Sequence, residues 1–351
     1  MAGSGFWNRL LGRTAAAQPA AETETAAAST QADVGFQPTR GASLDHFEIG
    51  AEIGRGAMAT VHLARERVGG RQLAIKRLAL QREFSAEDLI DVRQRFMREA
   101  RAARHLQHPD ILEVIDAGEA GDDAWIAMEY VQGQDLSHHT RPGQLLPVHE
   151  VLGLAIRLAR ALAYAHAQGV VHRDIKPSNV MLDRAKGTLK IMDFGIARIA
   201  DGSRTRTGLV LGTPSFMSPE QLAGLKVDGR SDLYSLGVML YQLLTGHLPH
   251  QSDSMAKLMH QIANQPAPDV RHYRPELPES LALVLALALE KRPELRYAGG
   301  EQMAQDLEAV QAQMGPLDPA APDKAAPSVD PFAQTLRLSA DEPGQNPRSP
   351  S

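Results

Sequence analysis

The chain changes its hydrophobic rhythm once, and that change limits what it can fold into. From Phe47 to Val131 apolar and polar residues mostly alternate, as in "FEIGAEIG" (47–54) and "TVHLARER" (60–67). "RQLAIKRLA" (71–79) follows a Gly-Gly turn at 69–70, and "WIAMEYV" (125–131) closes the series. Such alternation predicts strands. Downstream, "VLGLAIRLARALAYAHAQG" (151–169) and "SDLYSLGVMLYQLLTG" (231–246) carry helical spacing instead. One helical stretch interrupts the strands, "SAEDLIDVRQRFMREARAARHL" (85–106), with Leu89, Val92, Phe96, Ala103 and Leu106 on one stripe and Ser85 with Asp88 resembling a capping box. A β-rich half followed by an α-rich half predicts an α+β chain of two lobes. A cleft between lobes is where a small ligand usually binds.

The ends are different in kind. From Ala15 to about Ala42 the residues are Ala, Thr, Glu, Gln and Pro, and from about Gly315 to Ser351 they are rich in Pro, Ala, Ser and Asp. Neither stretch has the apolar content to offset the entropy of ordering, so both are expected to be disordered. We therefore expect tails at 1–44 and 313–351 around a folded region at 45–312, its lobes meeting near 131/132. The chain has no cysteine, which excludes a disulfide framework and a Cys-based zinc site. Its thirteen histidines are scattered without metal-site spacing. A net charge of -5 gives no electrostatic case for nucleic acid as a main partner. The longest apolar run, "LALVLALALE" (281–290), is too short for a bilayer and ends on Glu290, Lys291 and Arg292, so it predicts a buried helix and no transmembrane segment. The N-terminus lacks a signal-peptide pattern, and cytoplasmic location is expected; "FWNRLLGR" (6–13), weakly amphipathic, is the one candidate for a peripheral membrane contact.

Three constellations carry chemistry. "VVHRDIKPSNVML" (170–182) sets His172, Arg173, Asp174, Lys176 and Asn179 between apolar flanks, where unpartnered polar groups are costly. "TLKIMDFG" (188–195) reads as a strand ending on Asp193, and "NVMLD" (179–183) as its hairpin partner, which brings Asn179 and Asp193 to one end. Two hard oxygen ligands close together suit Mg²⁺ with added phosphate oxygens; a surface Asp and a turn Asn are the alternative. Glu99 lies on the apolar stripe of its helix and needs a cation, for which Lys76 of "LAIK" is the natural partner unless Glu99 is simply exposed. "IGRGAMATV" (53–61) is a turn whose Gly54 and Gly56 leave backbone amides open to an anion, though a tight hairpin explains two glycines equally well.

The order and spacing of that Gly-rich turn, "AIK", the helix Glu, "HRDIKPSN", "DFG" and "GTPSFMSPE" (212–220) resemble eukaryotic-type (Hanks-type) serine/threonine protein kinases, most closely the bacterial members. The resemblance covers about 45–312 and implies the two-lobed protein kinase fold, with a β-rich N-lobe and a mainly α-helical C-lobe. It implies ATP as substrate, with Mg²⁺ (or Mn²⁺) as cofactor. Asp174 would accept or orient the proton of the attacking hydroxyl, and Lys176 would neutralise the moving phosphoryl group. Lys76 would hold the α- and β-phosphates and pair with Glu99; Asn179 and Asp193 would carry the metal. The nucleotide would lie under Ile53, Gly54, Arg55, Gly56, Ala57, Met58, Ala59, Thr60 and Val61, against Ala74 and Leu182. Met128 would be the gatekeeper, Glu129 to Val131 the hinge, and Asp135 the ribose contact. Lys176, two residues after Asp174, and Thr213 match serine/threonine specificity.

There are departures. Ala59 stands where the third loop glycine is usual, and Ser218 where A-P-E has alanine; Glu220 is expected to pair with Arg296. Arg173 implies regulation by phosphate on the following loop, where Thr205 and Thr207 resemble the autophosphorylated pair of bacterial members. Thr30 and Thr335 in the tails could dock a phosphothreonine-reading (forkhead-associated) domain. Two other classes compete: a pseudokinase scaffold, which has no need of Lys76, Asp174, Asn179 and Asp193, and a small-molecule kinase, disfavoured by "GTPSFMSPE".

Overall fold

Apolar residues on both faces put "QLAIKRL" in the middle of a sheet. The computed structural model describes residues 43–56, 59–84, 87–120, 123–194 and 214–315, without the side chains of Arg82, Glu83 and Ala120. The predicted tails up to residue 42 and from 316 onward, residues 6–13, Thr30, Ala57, Met58, Ser85, Gly195, Thr205, Thr207, Thr213 and Thr335 lie outside the described residues. The N-terminal lobe is an antiparallel sheet of β1 (Phe47–Arg55), β2 (Ala59–Glu66), β3 (Gln72–Leu78), β4 (Val114–Ala120) and β5 (Asp123–Glu129), in the order β1-β2-β3-β5-β4. Leu73 and Ile75 pack with Phe47, Trp125 and Ala127 on one face; Ala74 and Leu78 face Val92 and Phe96 on the other. Since strand side chains alternate, Lys76 shares the second face.

That second face is covered by α1 (Leu89–Arg104), which buries Val92, Phe96, Ala100 and Ala103. The helix is shorter than the 85–106 spacing suggested. Its N-cap, Asp88, accepts no capping hydrogen bond from its own first turn. From here the chain passes to the second lobe through β6 (Gln134–Asp135), which pairs with β7 (Val180–Asp183) and β8 (Thr188–Ile191) in a second antiparallel sheet. The backbone also stitches the two lobes, with Leu112 N–H donating to Ile191 C=O at 2.9 Å and Ile191 N–H to Asp110 C=O at 2.8 Å.

The C-terminal lobe is built on α2 (Val148–Ala167), α3 (Pro219–Leu222), α4 (Gly229–Thr245), α5 (Met255–Asn264), α6 (Glu279–Ala288) and α7 (Gly300–Met314). Helix α4 is the axis. Every residue from Ser231 to Tyr241 is buried, as expected of a helix surrounded by other elements rather than lying on a surface. It starts on Asp228, whose side chain accepts from Arg230 N–H, and stops at left-handed Gly246 (φ 77°), whose N–H closes on Gln242 C=O at 2.7 Å. Helix α6 takes in the "LALVLALALE" run as far as Ala288 and buries Leu281, Val284, Leu285 and Ala288. Among the described residues no helix is long and apolar enough to cross a membrane.

A buried ion pair ties the start of α3 to the far end of the lobe. Arg296 meets both carboxylate oxygens of Glu220 at 2.7 Å, and Ser231 Oγ also donates to Glu220. Burial pushes the Glu220 carboxyl up, but the hydrogen bonds from Arg296 and Ser231 outweigh it and hold it below its usual range. Behind this pair, buried His250 accepts through Nε2 from Lys291 Nζ at 3.1 Å. Burial, then the Lys291 charge, lowers His250 from 6.5 to about 4; burial, then the Arg296 charge, lowers Lys291 to about 8.

Two predictions follow from packing and charge. A Cβ on Gly300 would lie 2.1 Å from Ala159 C=O on α2. Gly300→Ala is expected to cost about 1–3 kcal/mol, read as a lowered melting temperature. Between pH 6.5 and about 4 the unfolded chain binds a proton at position 250 that the folded chain does not, so stability falls as pH falls through that window, by about 3 kcal/mol at full titration. Urea unfolding across that range should show a smaller slope for His250→Gln, which keeps an acceptor for Lys291 and cannot titrate.

Candidate active site

The site begins with an acid that water cannot reach. Asp232, in the first turn of α4, is 0% exposed. Its carboxylate accepts from His172 N–H at 2.8 Å and Arg173 N–H at 2.6 Å, and meets His166 Nε2 at 2.8 Å. These bonds hold Arg173 at φ 69°, a left-handed conformation that a side-chain-bearing residue adopts only under constraint. His172, also 0% exposed, bonds Met192 C=O through Nε2 at 2.7 Å and accepts Asp174 N–H through Nδ1 at 3.2 Å, which fits the Nε2–H tautomer. Its ring meets Phe194 edge-on at 4.6 Å.

The chain that leaves this anchor presents Asp174. Its Oδ2 takes Lys176 Nζ at 2.8 Å and Asn179 Nδ2 at 2.9 Å, and Asn179 Nδ2 also reaches Asp174 C=O at 2.7 Å. With the amide nitrogen so engaged, the Asn179 oxygen is the end left for a cation. Val180 pairs with Ile191, and Met192 N–H donates to Asn179 C=O at 2.9 Å, so the hairpin does bring Asn179 and Asp193 to one end. Asp193 is itself left-handed (φ 61°). The donors there, one carboxylate and one amide oxygen, have the hardness and number that Mg²⁺ takes from protein when phosphate and water complete its shell.

Across the cleft, Lys76 Nζ lies 2.7 Å from Asp193 Oδ1, with side chains 15% and 28% exposed. This ion pair replaces the Lys76–Glu99 pair expected from the sequence. Glu99 instead lines a pocket of about 210 Å³ with Arg98 and Ala102 of α1, against residues 169–171 and Arg173. Both residues lie where the periodicity put them, on β3 and α1, but the acid that Lys76 meets is Asp193.

The Gly-rich turn joins β1 to β2, with Gly54 opposite Val61, Arg55 opposite Thr60, and Gly56 N–H on Ala59 C=O at 2.8 Å. Arg55 Nε bonds Glu52 at 2.8 Å, so its charge is turned back on its own strand. A methyl on Gly54 or Gly56 would come no closer than 3.7 Å to atoms of the described residues. Ile53 is 47% exposed above the cleft, Val61 is partly buried, and Ala74 and Leu182 are buried above and below. Met128 is opposite Ala74 in the sheet. Glu129 turns its carboxylate away, to Lys190 at 2.6 Å and Glu113 N–H at 2.8 Å. Asp135 caps the turn after β6 by accepting from Ser137 N–H at 2.9 Å. Asp232 and His166 were not singled out in the sequence, although an acid within the otherwise apolar "SDLYSLGVML" was a usable signal.

Comparison with known proteins agrees with this geometry. The family model described as "Protein kinase domain" matches residues 47–307. Among curated proteins, the chain is 42% identical over 272 residues to a probable serine/threonine-protein kinase (SCO3848) of Streptomyces coelicolor, covering 75% of this chain and 39% of that one. It is 39% identical over 318 residues to serine/threonine-protein kinase pkn3 of Myxococcus xanthus, covering 86% of this chain and 56% of that one. The chain thus spans about half the length of these relatives or less. Among solved structures, the PknI kinase domain of Mycobacterium tuberculosis superposes with a TM-score of 0.61 at 32% identity, over 78% of this chain and all of that one. If Asp174 acts on a proton, Asp174→Asn should lower kcat by about 10²–10⁴-fold while leaving nucleotide affinity near wild type, measured by fluorescent ATP-analogue titration.

Proposed function

Because this chain belongs to the protein kinase family, among its bacterial eukaryotic-type serine/threonine members, we propose that it transfers the γ-phosphate of ATP to serine and threonine hydroxyls of proteins. The observation that carries the reading is the fixed Asp174 carboxylate, held by Lys176 and Asn179 across the cleft from the Lys76–Asp193 pair. Asp174 accepts the hydroxyl proton as the oxygen attacks Pγ; the bond from Pγ to the bridging oxygen breaks and ADP leaves with its electron pair. Lys176 offsets charge on the phosphoryl group in flight. Little covalent work is asked of the protein, so positioning and charge supply the rate.

Lys76 and Asp193 occupy each other before nucleotide arrives. With nucleotide bound, Lys76 would face the α- and β-phosphates, and Asp193 with Asn179 would hold Mg²⁺, which would shield phosphate charge. One ion pair is exchanged for two, so no buried charge is stranded. Glu99 of α1 is the acid that the family resemblance pairs with Lys76 once nucleotide is bound. Ile53, Val61, Ala74 and Leu182 enclose the adenine with Met128 behind it, and the Gly-rich turn from Gly54 through Thr60 covers the phosphates. Backbone groups from Glu129 to Val131 bond the base, and Asp135 the ribose. Thr213 and Lys176 direct the site to serine and threonine, and the need for ATP assigns the domain to the cytoplasm.

Phosphate at Thr205 or Thr207 regulates the site through Arg173, and phosphorylated Thr30 or Thr335 docks forkhead-associated domains. Wild-type protein incubated with labelled ATP·Mg²⁺ and a generic protein substrate is expected to label both the substrate and itself, with Asp174→Asn about 10²–10⁴-fold slower; an inert wild type would overturn the reading. Phosphosite mapping should find Thr205 or Thr207. Replacing both by alanine should lower activity about tenfold or more, the factor that one charge-assisted hydrogen bond represents.

A further inference from the structure

We infer that Gln221 is a positioning residue, which sets the direction of Asp174 by holding the peptide group between Arg173 and Asp174. A peptide is planar, so fixing its oxygen and its N–H fixes where the next Cα launches its side chain. Both ends of this one are held. Asp174 N–H donates to His172 Nδ1 at 3.2 Å, and Arg173 C=O accepts from Gln221 Nε2 at 2.7 Å. The N–H on the other side of Arg173 is on Asp232 at 2.6 Å. The left-handed residue beside the catalytic acid is therefore gripped at both its polar backbone atoms, from two different helices.

Gln221 can do this because it cannot turn. It is the third residue of α3, where its Oε1 accepts Ser218 N–H at 3.0 Å and its own N–H donates to Ser218 Oγ at 3.3 Å. This reciprocal capping box leaves Nε2 as the free end of the amide, aimed at Arg173. Ser218 is 0% exposed, and its neighbour Glu220 bolts the same turn to Arg296. The serine at 218, a departure from the alanine of the usual motif, thus has a use that alanine could not serve. Helix α3 and the loop bearing Asp174 meet in this one side chain.

The inference rests on the proposed kinase reading, and glutamate separates it from a merely structural role. Ser-x-x-Glu is as good a capping box as Ser-x-x-Gln, so Gln221→Glu retains the local fold but puts an acceptor where Arg173 C=O needs a donor. Gln221→Glu and Gln221→Leu are each expected to lower kcat about tenfold or more, with KM for ATP within about twofold and, for the glutamate variant, an unchanged melting temperature. Wild-type kcat in Gln221→Glu overturns the inference and leaves the kinase reading intact. Loss of kcat matched by a lower melting temperature or raised KM in both variants makes Gln221 structural and also overturns it. A wild-type protein that transfers no phosphate overturns the kinase reading itself.

Discussion

A carboxylate with no access to water is an expensive thing to fold around, and this domain folds around Asp232. Removing an unpaired charge from water costs several kcal/mol. The expense is met by two backbone N–H groups and an imidazole, all from the segment ending α2 and the loop that follows. The acid also sits at the positive end of α4, where an anion is favoured. Because those partners belong to the loop bearing Asp174, the same bonds that make Asp232 tolerable make the loop rigid. Stability and the geometry of the candidate site are here one set of interactions.

Around that anchor the two lobes contribute opposite charges to one cleft. The N-terminal lobe supplies Lys76 from a strand packed on both faces, and the C-terminal lobe supplies Asp174, Asn179 and Asp193 from a loop and a hairpin. Secondary-structure elements carry these groups, and the lobes meet through backbone bonds at Leu112 and Ile191 and the ion pairs Lys76–Asp193 and Glu129–Lys190.

Much of this was legible in the sequence, for physical reasons that can be named. Alternation in "RQLAIKRLA" located β3 and the face of Lys76, and the hairpin pattern around residues 179–193 predicted that Asn179 and Asp193 meet. Local rules sufficed because those partners are neighbours in strand register. The partner of Lys76 was not legible, since a lysine 117 residues from Asp193 and nearer in sequence to Glu99 gives no local sign of which acid it meets. Asp232 and Gln221 were missed for the same reason. Their partners lie 59 and 48 residues away, and only the packing of α3 and α4 brings them together.

The remoteness of Asp232 has a consequence for the newborn chain. A ribosome that has just released residues 170–182 has made every group of the catalytic loop and none of the acid that shapes it. Arg173 has no reason to enter its left-handed conformation until residue 232 has emerged and its helix has been wrapped by its neighbours. The Glu220–Arg296 clasp comes later still, 76 residues further along from its first member. During synthesis the loop bearing Asp174 therefore lacks its anchor until residue 232 has been made.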